Sequence, residues 1–329
     1  MRYLSLFSGI GGFEVAIHQV YGAKAECVGF SEIDKHAIAE YISHYPDHRN
    51  IGDVTRLKKV HIDALGKIDL IVGGFPCSDL SSSNYKGRTG LDGSKSGLFW
   101  TMLKIIKWAK KTNPAVQIIV ENNASMAHKW RDMITKELST VFKKPVYCNL
   151  FDSSQWVAQR RRRYYWALNK IPEYTGRQIL TFKRTLDPPS KSASFKVLSD
   201  TILNYMNASP PYVQGQKNGT IIEKTKNSTY VQVPVNYPTR WLTRYTSTQG
   251  TYMRCINTHL TDNVILDFRL TKAADEFIPR LLTKTELNKA FGYPPKYVQT
   301  NILSHYSRLY GMTVVPPVIV HIINNLSAE

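Results

Sequence analysis

Short apolar runs alternate with segments of helical periodicity over the first half of the chain, and this alternation constrains the fold most strongly. The runs at residues 4–7, 70–72 and 116–120 have the length and composition of buried strands. Strands that alternate with helices favour a parallel sheet covered by helices on both faces. The sequence therefore predicts an α/β fold built on a doubly wound, mostly parallel sheet.

A glycine-rich turn joins the first predicted strand to the first predicted helix. It follows Phe7 and contains Ser8, Gly9, Gly11 and Gly12. Glycines allow a ligand to approach the backbone, and the N-terminus of a helix favours a negatively charged group. The spacing differs from the six-residue dinucleotide fingerprint, so NAD is not the first expectation. Tight packing of the strand on the helix is the alternative explanation for such a turn.

Three acids follow predicted strands, which is where an open α/β sheet builds its sites. Glu32 ends the second predicted strand at a distance from the glycines that suits a carboxylate accepting from a ribose. Asp53 follows a short third segment and could accept from an exocyclic amine. Glu121 follows residues 116–120 and could share a proton with a substrate. The alternatives are a solvated loop acid for Glu32 and a helix cap for Glu121.

Cys77 lies on a stiff turn directly after the apolar run at residues 70–72. Pro76 restricts its own φ angle and disfavours a helical Phe75, which places the thiol just past a strand end. Small polar residues and four glycines follow, so we expect a loop that closes over the thiol. Position alone favours a packed cysteine over a reactive one. The four cysteines form no CxxC pair, so we expect neither a metal site nor a disulfide framework.

Four consecutive arginines precede an aromatic run that is typical of a buried strand. Alternate side chains of an extended chain share a face, so Arg161 and Arg163 are predicted on one face and Arg160 and Arg162 on the other. A run of like charges is usually a solvated or phosphate-binding face. Because a packed strand follows at once, we expect some of these arginines in a site.

The net charge of +18 predicts a polyanionic partner, and nucleic acid is the simplest candidate. Residues 160–275 carry 18 Lys and Arg against 7 Asp and Glu, so most of the excess lies there. Helical periodicity fades over residues 169–275, where short β-branched runs broken by Pro, Gly, Asn and Ser predict an irregular, β-rich smaller domain. Residue types that contact bases and phosphates crowd this segment, including Arg240, Arg244 and Arg254.

Helical periodicity returns near Arg280. Thr283 and Glu286 fit a capping box, and Gly292 is placed to end the helix. The apolar C-terminal stretch that follows is expected to pack back onto the first domain. We therefore predict one domain formed by residues 1–168 and 276–329, with a second domain inserted at 169–275. The chain opens directly with a strand-like segment, without a charged n-region or a long apolar span, so we expect a cytosolic protein. We also expect a monomer that has no contact with a membrane.

Taken in order, these segments resemble the cytosine-C5 DNA methyltransferases over almost the whole chain. Residues 7–13 are similar to the first cofactor motif of that family, and residues 74–77 to its nucleophile motif. Glu121-Asn122 and Gln159-x-Arg161-x-Arg163 are similar to its glutamate and arginine motifs. Further similarities lie at Glu32 with Asp34, at Gly52-Asp53, and at residues 280–294 and 311–314.

The resemblance implies methyl transfer from S-adenosylmethionine to C5 of a cytosine that is flipped out of duplex DNA. It implies that Cys77 attacks C6, that Glu121 holds N3 and the exocyclic amine, that Arg161 holds O2, and that Arg163 orients its neighbours or a phosphate. The implied cofactor residues are Phe7, Ser8, Gly9, Gly11, Gly12, Glu32, Ile33, Asp53, Val54, Phe75, Leu98 and Thr313. The implied DNA contacts are Ser81, Arg160, Arg240, Arg244 and Arg254.

The sequence departs from the family pattern at several positions, and other functions stay open. Ser78-Asp79 replaces the usual Gln and aromatic residue, as in the branch that contains the animal de novo methyltransferases. Ile33, Asn123 and Met312 stand where an aromatic residue, Val and Asn are usual. The alternatives are an RNA cytosine methyltransferase, an inactive DNA-binding regulator, and an enzyme with an altered sulfonium donor. The large insert argues against the first, and the retained Cys and Glu argue against the second.

Overall fold

The computed structural model describes residues 1–80, 89–179, 181–188, 221–225, 228–232, 246–247, 253, 255–256, 264–267, 278–300 and 303–326. The chain divides into two compact units. The first consists of Met1–Asp152, Arg162–Thr175 and Thr313–Glu329, and the second of Ser153–Arg161 and Gly176–Met312. The inserted domain at residues 169–275 stays a prediction, because most of that segment lies outside the described residues.

Six strands form the sheet of the first unit: β1 (Arg2–Leu6), β2 (Glu26–Ser31), β3 (Leu70–Gly74), β4 (Gln117–Asn123), β5 (Tyr147–Asp152) and β6 (Arg162–Ala167). Their order is β2-β1-β3-β4-β6-β5. β1 pairs in parallel with β2 and β3, and β3 pairs in parallel with β4. β6 is antiparallel to both β4 and β5. The predicted α/β class with a mostly parallel sheet is confirmed.

The first unit also contains the helices α1 (Gly12–Tyr21), α2 (Lys35–His44), α3 (Lys59–Asp63), α4 (Leu98–Thr112), α5 (His128–Phe142) and α9 (Pro316–Asn324). In α4, Phe99, Met102 and Ile106 are buried while Lys104 and Lys107 are exposed, which is the pattern of a helix lying on a sheet. The central strands β3 and β4 are buried along most of their length, as expected for parallel strands covered on both faces.

Contacts at two helices of the first unit fix the start of one and the position of the other. Asp34 caps α2, since its Oδ1 accepts from the backbone N–H groups of His36 and Ala37 at 2.9 and 3.1 Å. The C-terminal helix α9 packs against α1 and buries Ile319 and Ile322. The expectation that the apolar C-terminal stretch returns to the first unit is therefore confirmed.

The second unit contains α6 (Phe182–Thr185), α7 (Lys284–Phe291), α8 (Leu303–Met312), β7 (Ile221–Thr225), β8 (Ser228–Gln232), β9 (Thr246–Ser247), β10 (Val264–Asp267) and β11 (Ile278–Leu281). β7 and β8 form an antiparallel pair, and β9, β10 and β11 form a three-stranded sheet. The capping box of α7 is present as predicted: Thr283 Oγ1 accepts from the Glu286 N–H at 3.1 Å, and Glu286 Oε2 accepts from the Thr283 N–H at 2.9 Å.

No helix within the described part of the chain combines the length and the apolar composition that a membrane crossing requires.

Candidate active site

The carboxyl ends of β3 and β4 bring two candidate residues to the same edge of the sheet. The parallel register pairs Gly74, the last residue of β3, with Glu121 of β4. The turn that carries Cys77 begins directly after Gly74. Because sites in open α/β sheets form at the carboxyl ends of strands, this edge is where the thiol and the carboxylate can act together.

Glu121 forms an ion pair with Arg163. Glu121 Oε1 lies 3.0 Å from Arg163 Nε, and the two side chains are 12% and 9% exposed. In the antiparallel register Glu121 pairs with Tyr165 and Asn123 with Arg163, so the acid and the arginine are diagonal neighbours on one face of the sheet. Arg163 also donates from Nη1 to the carbonyl of Arg162 at 2.8 Å. The guanidinium therefore holds the Glu121 carboxylate in one orientation.

Gly74 leaves room for the second oxygen of the same carboxylate. A Cβ at this position would lie 2.7 Å from Glu121 Oε2, well inside van der Waals contact. Any larger residue would therefore displace the carboxylate. The glycine that the sequence pattern associates with the nucleophile motif thus serves the acid on the neighbouring strand.

Two side chains hold the turn at residues 75–77 by its carbonyl groups. Asn122 Nδ2 donates to the Phe75 carbonyl at 2.9 Å, and Ser96 Oγ donates to the Pro76 carbonyl at 2.9 Å. Both donors are fully buried, which makes their loss costly. The half-buried Cys77 follows directly. Neither Ser96 nor the structural role of Asn122 has a local sequence signal, because their hydrogen bonds span 20 and 47 residues of chain.

Two other cysteines lie in surroundings that disfavour a thiolate. Burial raises the pKa of Cys27 in β2 and of Cys148 in β5 to about 12 in each case. Both side chains therefore stay protonated at neutral pH. Cys77, on a turn at a strand end, is the stronger candidate for a nucleophile.

The turn after β1 has backbone angles that favour glycine. Gly9 and Gly11 have φ angles of 55° and 88°, and Phe7 has a φ angle of 54°. A Cβ at Gly9 would meet no atom within 4 Å, so one side of the turn is open. Gly12 begins α1. The buried Ser8 hydroxyl donates to main-chain carbonyl groups of the neighbouring strands and thus faces the sheet.

Glu32 connects this turn to the end of β2. Its Oε2 accepts from the Gly9 N–H at 2.9 Å, and its Oε1 accepts from the N–H groups of Ile33 and Asp34 at 2.8 and 2.9 Å. The Ile33 side chain is 72% exposed. An open backbone, a carboxylate and an exposed apolar side chain therefore meet at the ends of β1 and β2, a combination that suits a nucleoside.

The remaining predicted cofactor residues differ in exposure. Asp53 Oδ1 accepts from the N–H and the hydroxyl of Thr55, each at 2.8 Å, and these hydrogen bonds lower the pKa of the carboxyl group. Neither bond uses Oδ2. Buried side chains are found at Val54, Phe75 and Thr313, whereas Leu98 at the start of α4 is half-buried.

Arg161 is bound within the second unit. Its Nη1 donates to the Ile256 carbonyl at 2.8 Å and approaches Cys255 Sγ at 3.6 Å, while Nη2 donates to the Gly311 carbonyl at 2.9 Å. Its guanidinium also lies over the Phe291 ring, 5.5 Å from the centroid. With 5% exposure, Arg161 connects the main chain at two distant positions.

The other arginines of the run have separate surroundings. The predicted alternation is seen in burial, since Arg161 and Arg163 are buried whereas Arg160 and Arg162 are exposed. Arg161 belongs to the second unit, and β6 of the first unit begins at Arg162. Arg160 is exposed, and its N–H donates to the Met253 carbonyl at 2.9 Å. Four predicted DNA contacts lie outside the described residues: Ser81, Arg240, Arg244 and Arg254. Across the described residues, no cluster of three or more His, Cys, Asp or Glu side chains could hold a metal ion.

The fold and this strand-end site define an α/β protein with a candidate thiol nucleophile beside a candidate acid, and the family follows from direct comparison. The sequence profile of the C-5 cytosine-specific DNA methylases matches residues 1–328. The chain belongs to this family.

Individual relatives match shorter stretches. The orphan methyltransferase M.Rho11sI of Bacillus phage rho11s is 42% identical over 109 residues, covering 32% of this chain and 20% of that protein. The type II methyltransferase M2.BsuMI of Bacillus subtilis strain 168 is 33% identical over 147 residues, covering 45% of this chain and 35% of that protein. The chain thus spans between 20% and 35% of the length of these two relatives.

Solved structures with the same fold cover nearly the whole chain. The Entamoeba histolytica methyltransferase EhMeth superposes with a TM-score of 0.67 at 14% identity, covering 99% of this chain and 97% of that one. The S. pombe Dnmt2 methyltransferase superposes with a TM-score of 0.66 at 15% identity, covering 99% and 98%. At these identities the likeness shows the fold.

Proposed function

We propose that the protein is a DNA cytosine-5-methyltransferase that transfers a methyl group from S-adenosylmethionine to C5 of a cytosine flipped out of duplex DNA. The observation that carries this proposal is the Glu121–Arg163 pair. Glu121 lies on β4, the strand next to β3, and the carboxyl end of β3 leads into the turn of Cys77. A nucleophile and a hydrogen-bonding acid thus come from adjacent strand ends, as the chemistry requires.

Cys77 would act on C6 of the base, because C5 of an intact cytosine is a poor nucleophile. Addition of the thiolate forms an S–C6 bond and moves the electron pair of the C5–C6 double bond onto C5. C5 would then bond to the methyl carbon of the donor, and the electrons of the broken S–CH3 bond would stay on the donor sulfur. The C5 proton then leaves to a base, and the electron pair of the C5–H bond forms the C5–C6 double bond as the S–C6 bond breaks and its electrons return to the Cys77 sulfur.

Glu121 would balance the charge that thiolate addition places on the ring. Its carboxyl group hydrogen-bonds to N3 and to the exocyclic amine and keeps N3 protonated as negative charge builds. Arg163 acts as the positioning residue, since it holds Oε1 of that carboxyl group. The contacts of Arg161 with two main-chain carbonyl groups favour a structural role for that arginine over the O2 contact expected from the family resemblance.

The residues at the ends of β1 and β2 fit the proposed cofactor. S-adenosylmethionine, when bound, supplies an electrophilic methyl group. The carboxylates of Glu32 and Asp53 can accept from ribose hydroxyls and an adenine amine, and the exposed Ile33 offers an apolar surface to the ring. The remaining proposed contacts are Phe7, Ser8, Gly9, Gly11, Gly12, Val54, Phe75, Leu98 and Thr313.

Duplex DNA is the proposed partner because positive charge is concentrated in one part of the chain. The excess of Lys and Arg over residues 160–275 suits phosphate contacts, for which we propose Arg160, Arg240, Arg244 and Arg254, with Ser81 near the base. Binding should therefore weaken steeply as salt is raised. An unchanged affinity between low and high salt would argue against a duplex substrate.

The decisive experiment is methyl transfer from labelled S-adenosylmethionine to duplex DNA, with the product nucleosides identified by mass spectrometry. Cys77→Ser should abolish transfer while duplex binding persists, and Glu121→Gln should lower the rate by about 10²–10⁴-fold. Cys148→Ser is the matched control, because it removes a thiol that stays protonated, and it should turn over normally. Full turnover by Cys77→Ser, or methylation of RNA but not of duplex DNA, would contradict the proposal.

A further inference from the structure

Asp79 joins the nucleophile turn to a second segment of chain. Its Oδ2 accepts from the backbone N–H groups of Lys95 and Ser96 at 3.0 and 2.8 Å. Its own N–H donates to Ser96 Oγ at 3.1 Å, and its carbonyl accepts from the Gly90 N–H at 3.1 Å. We call the set formed by Asp79, Lys95 and Ser96 the carboxylate clasp. It connects positions 16 and 17 residues apart.

Ser96 carries the clasp to the residue that precedes the nucleophile. Its hydroxyl accepts from the Asp79 N–H and donates to the Pro76 carbonyl at 2.9 Å. On the other side of the thiol, the Leu80 N–H donates to the Cys77 carbonyl at 3.0 Å. Ser96 and Leu80 are both fully buried, so water does not replace these contacts. The main chain is thus held on both sides of Cys77.

Two glycines allow the second segment to fit closely around the carboxylate. A Cβ at Gly93 would overlap the Asp79 carboxylate, and a Cβ at Gly90 would overlap the indole of Trp130 in α5. The second segment therefore packs against α5 as well as against the Asp79 carboxylate. A side chain at either position would push the second segment away from its neighbours, so the carboxylate clasp depends on these two glycines.

We infer that Asp79 is a positioning residue for Cys77. A carboxylate that accepts from two adjacent backbone N–H groups is a stronger tie than a neutral side chain. A reacting atom displaced by about 1 Å can lose on the order of a hundredfold in rate, so this tie bears on the chemistry. The inference rests on the proposed function of Cys77. It gives a role to a residue at which the chain departs from the pattern usual in its family.

The test compares Asp79→Ala, Asp79→Asn and Ser96→Ala with the matched control Asp92→Ala, which removes an exposed acid from the helical turn Gly90–Asp92 in the second segment. We expect kcat for duplex DNA to fall about 10–100-fold in Asp79→Ala and Ser96→Ala, with KM for S-adenosylmethionine within about twofold of wild type. Asp79→Asn should recover part of the loss, because an amide oxygen can accept from the same two N–H groups. Asp92→Ala should match wild type.

Hydrogen exchange measured on the same variants separates this inference from the proposed function. The amide of Leu80 should exchange faster in Asp79→Ala than in wild type, whether or not the protein methylates DNA. A wild-type kcat in Asp79→Ala overturns the inference, and so does a loss that Asp79→Asn does not reduce. If the wild-type protein transfers no methyl group, the proposed function fails. Unchanged exchange of the Leu80 amide in Asp79→Ala would then also contradict the role of the carboxylate clasp in holding the main chain.

Discussion

Arg161 and Arg163 stand two positions apart, yet they lie in different units and bind different groups. In the first unit, Arg163 pairs with the carboxylate of Glu121 at the end of a sheet strand. In the second unit, Arg161 donates to the carbonyl groups of Ile256 and Gly311. Both side chains are largely buried. One therefore orients a chemical group, whereas the other fastens the main chain.

This difference shows that a sequence motif does not by itself assign a role to each of its members. The guanidinium group suits both partners, because it offers several donors in one plane. What separates the two arginines is the start of β6 at Arg162, after which the chain follows the sheet. Substitutions at the two positions should therefore affect different measured quantities.

The largest effect is expected at Arg163. Arg163→Met leaves the Glu121 carboxylate, 12% exposed, without its cation, so kcat should fall at least about a hundredfold. Arg163→Lys should be intermediate, because it keeps the charge but loses the planar fork. Steady-state methylation of duplex DNA measures both, with Arg162→Met, an exposed neighbour, as the control. Equal activity of Arg163→Met and wild type would contradict the assignment of a catalytic positioning role to Arg163.

The next effect is on stability and is expected at Arg161. Arg161→Met removes the donors to two main-chain carbonyl groups, which should lower the free energy of unfolding by about 4 kcal/mol. Urea denaturation measures this loss, and kcat of the folded fraction should change less than tenfold. Arg163→Met, measured by the same two methods under the same conditions, is the comparison variant. If Arg161→Met lowered kcat as much as Arg163→Met does, Arg161 would again be the proposed contact of the cytosine O2.

The smallest effect extends the comparison from arginines to acids. Glu14 in α1 is fully buried, and its Oε1 accepts from the neutral Tyr41 hydroxyl at 3.1 Å. Burial raises the pKa of Glu14 from 4.5 to about 7. Its contribution to stability is therefore complete below about pH 4.5 and is lost as the pH rises through 7. Glu14→Gln removes this loss.

The measurement for Glu14 is the free energy of unfolding at pH 5 and pH 8. The free energy of unfolding of Glu14→Gln, minus that of wild type, should increase by about 2–3 kcal/mol from pH 5 to pH 8. Glu26→Gln, which changes an exposed acid, is the control and should show little pH dependence. A difference between Glu14→Gln and wild type that stays constant with pH would show that Glu14 is ionised throughout.

Several features of both units follow from local sequence signals. The apolar run at residues 70–72 is a strand, Asp34 caps α2, and Thr283 with Glu286 forms a capping box in the second unit. These features depend on residues within a few positions of one another, which is why pattern and spacing are sufficient. The turn of Cys77 after a strand end belongs to the same group, because Pro76 acts on its direct neighbours.

The carboxylate clasp shows where such signals end. Asp79 was visible only as a departure from a family pattern, and Ser96 had no signal at all. Their hydrogen bonds cross 16 to 20 residues, so no local pattern carries them. The same holds for Asn122, which reaches the carbonyl of Phe75 across two neighbouring strands.

Residue types and their order were sufficient for the α/β class, the thiol at a strand end and the acid on a later strand, since hydrophobic period and backbone restriction are local properties. Only the folded chain decides that Arg163 pairs with Glu121 and that Arg161 donates to two main-chain carbonyl groups. The antiparallel register of β4 and β6 places Arg163 diagonally across from the acid, whereas Arg161 precedes β6, which begins at Arg162. Register is a property of two strands together, so neither strand contains it alone.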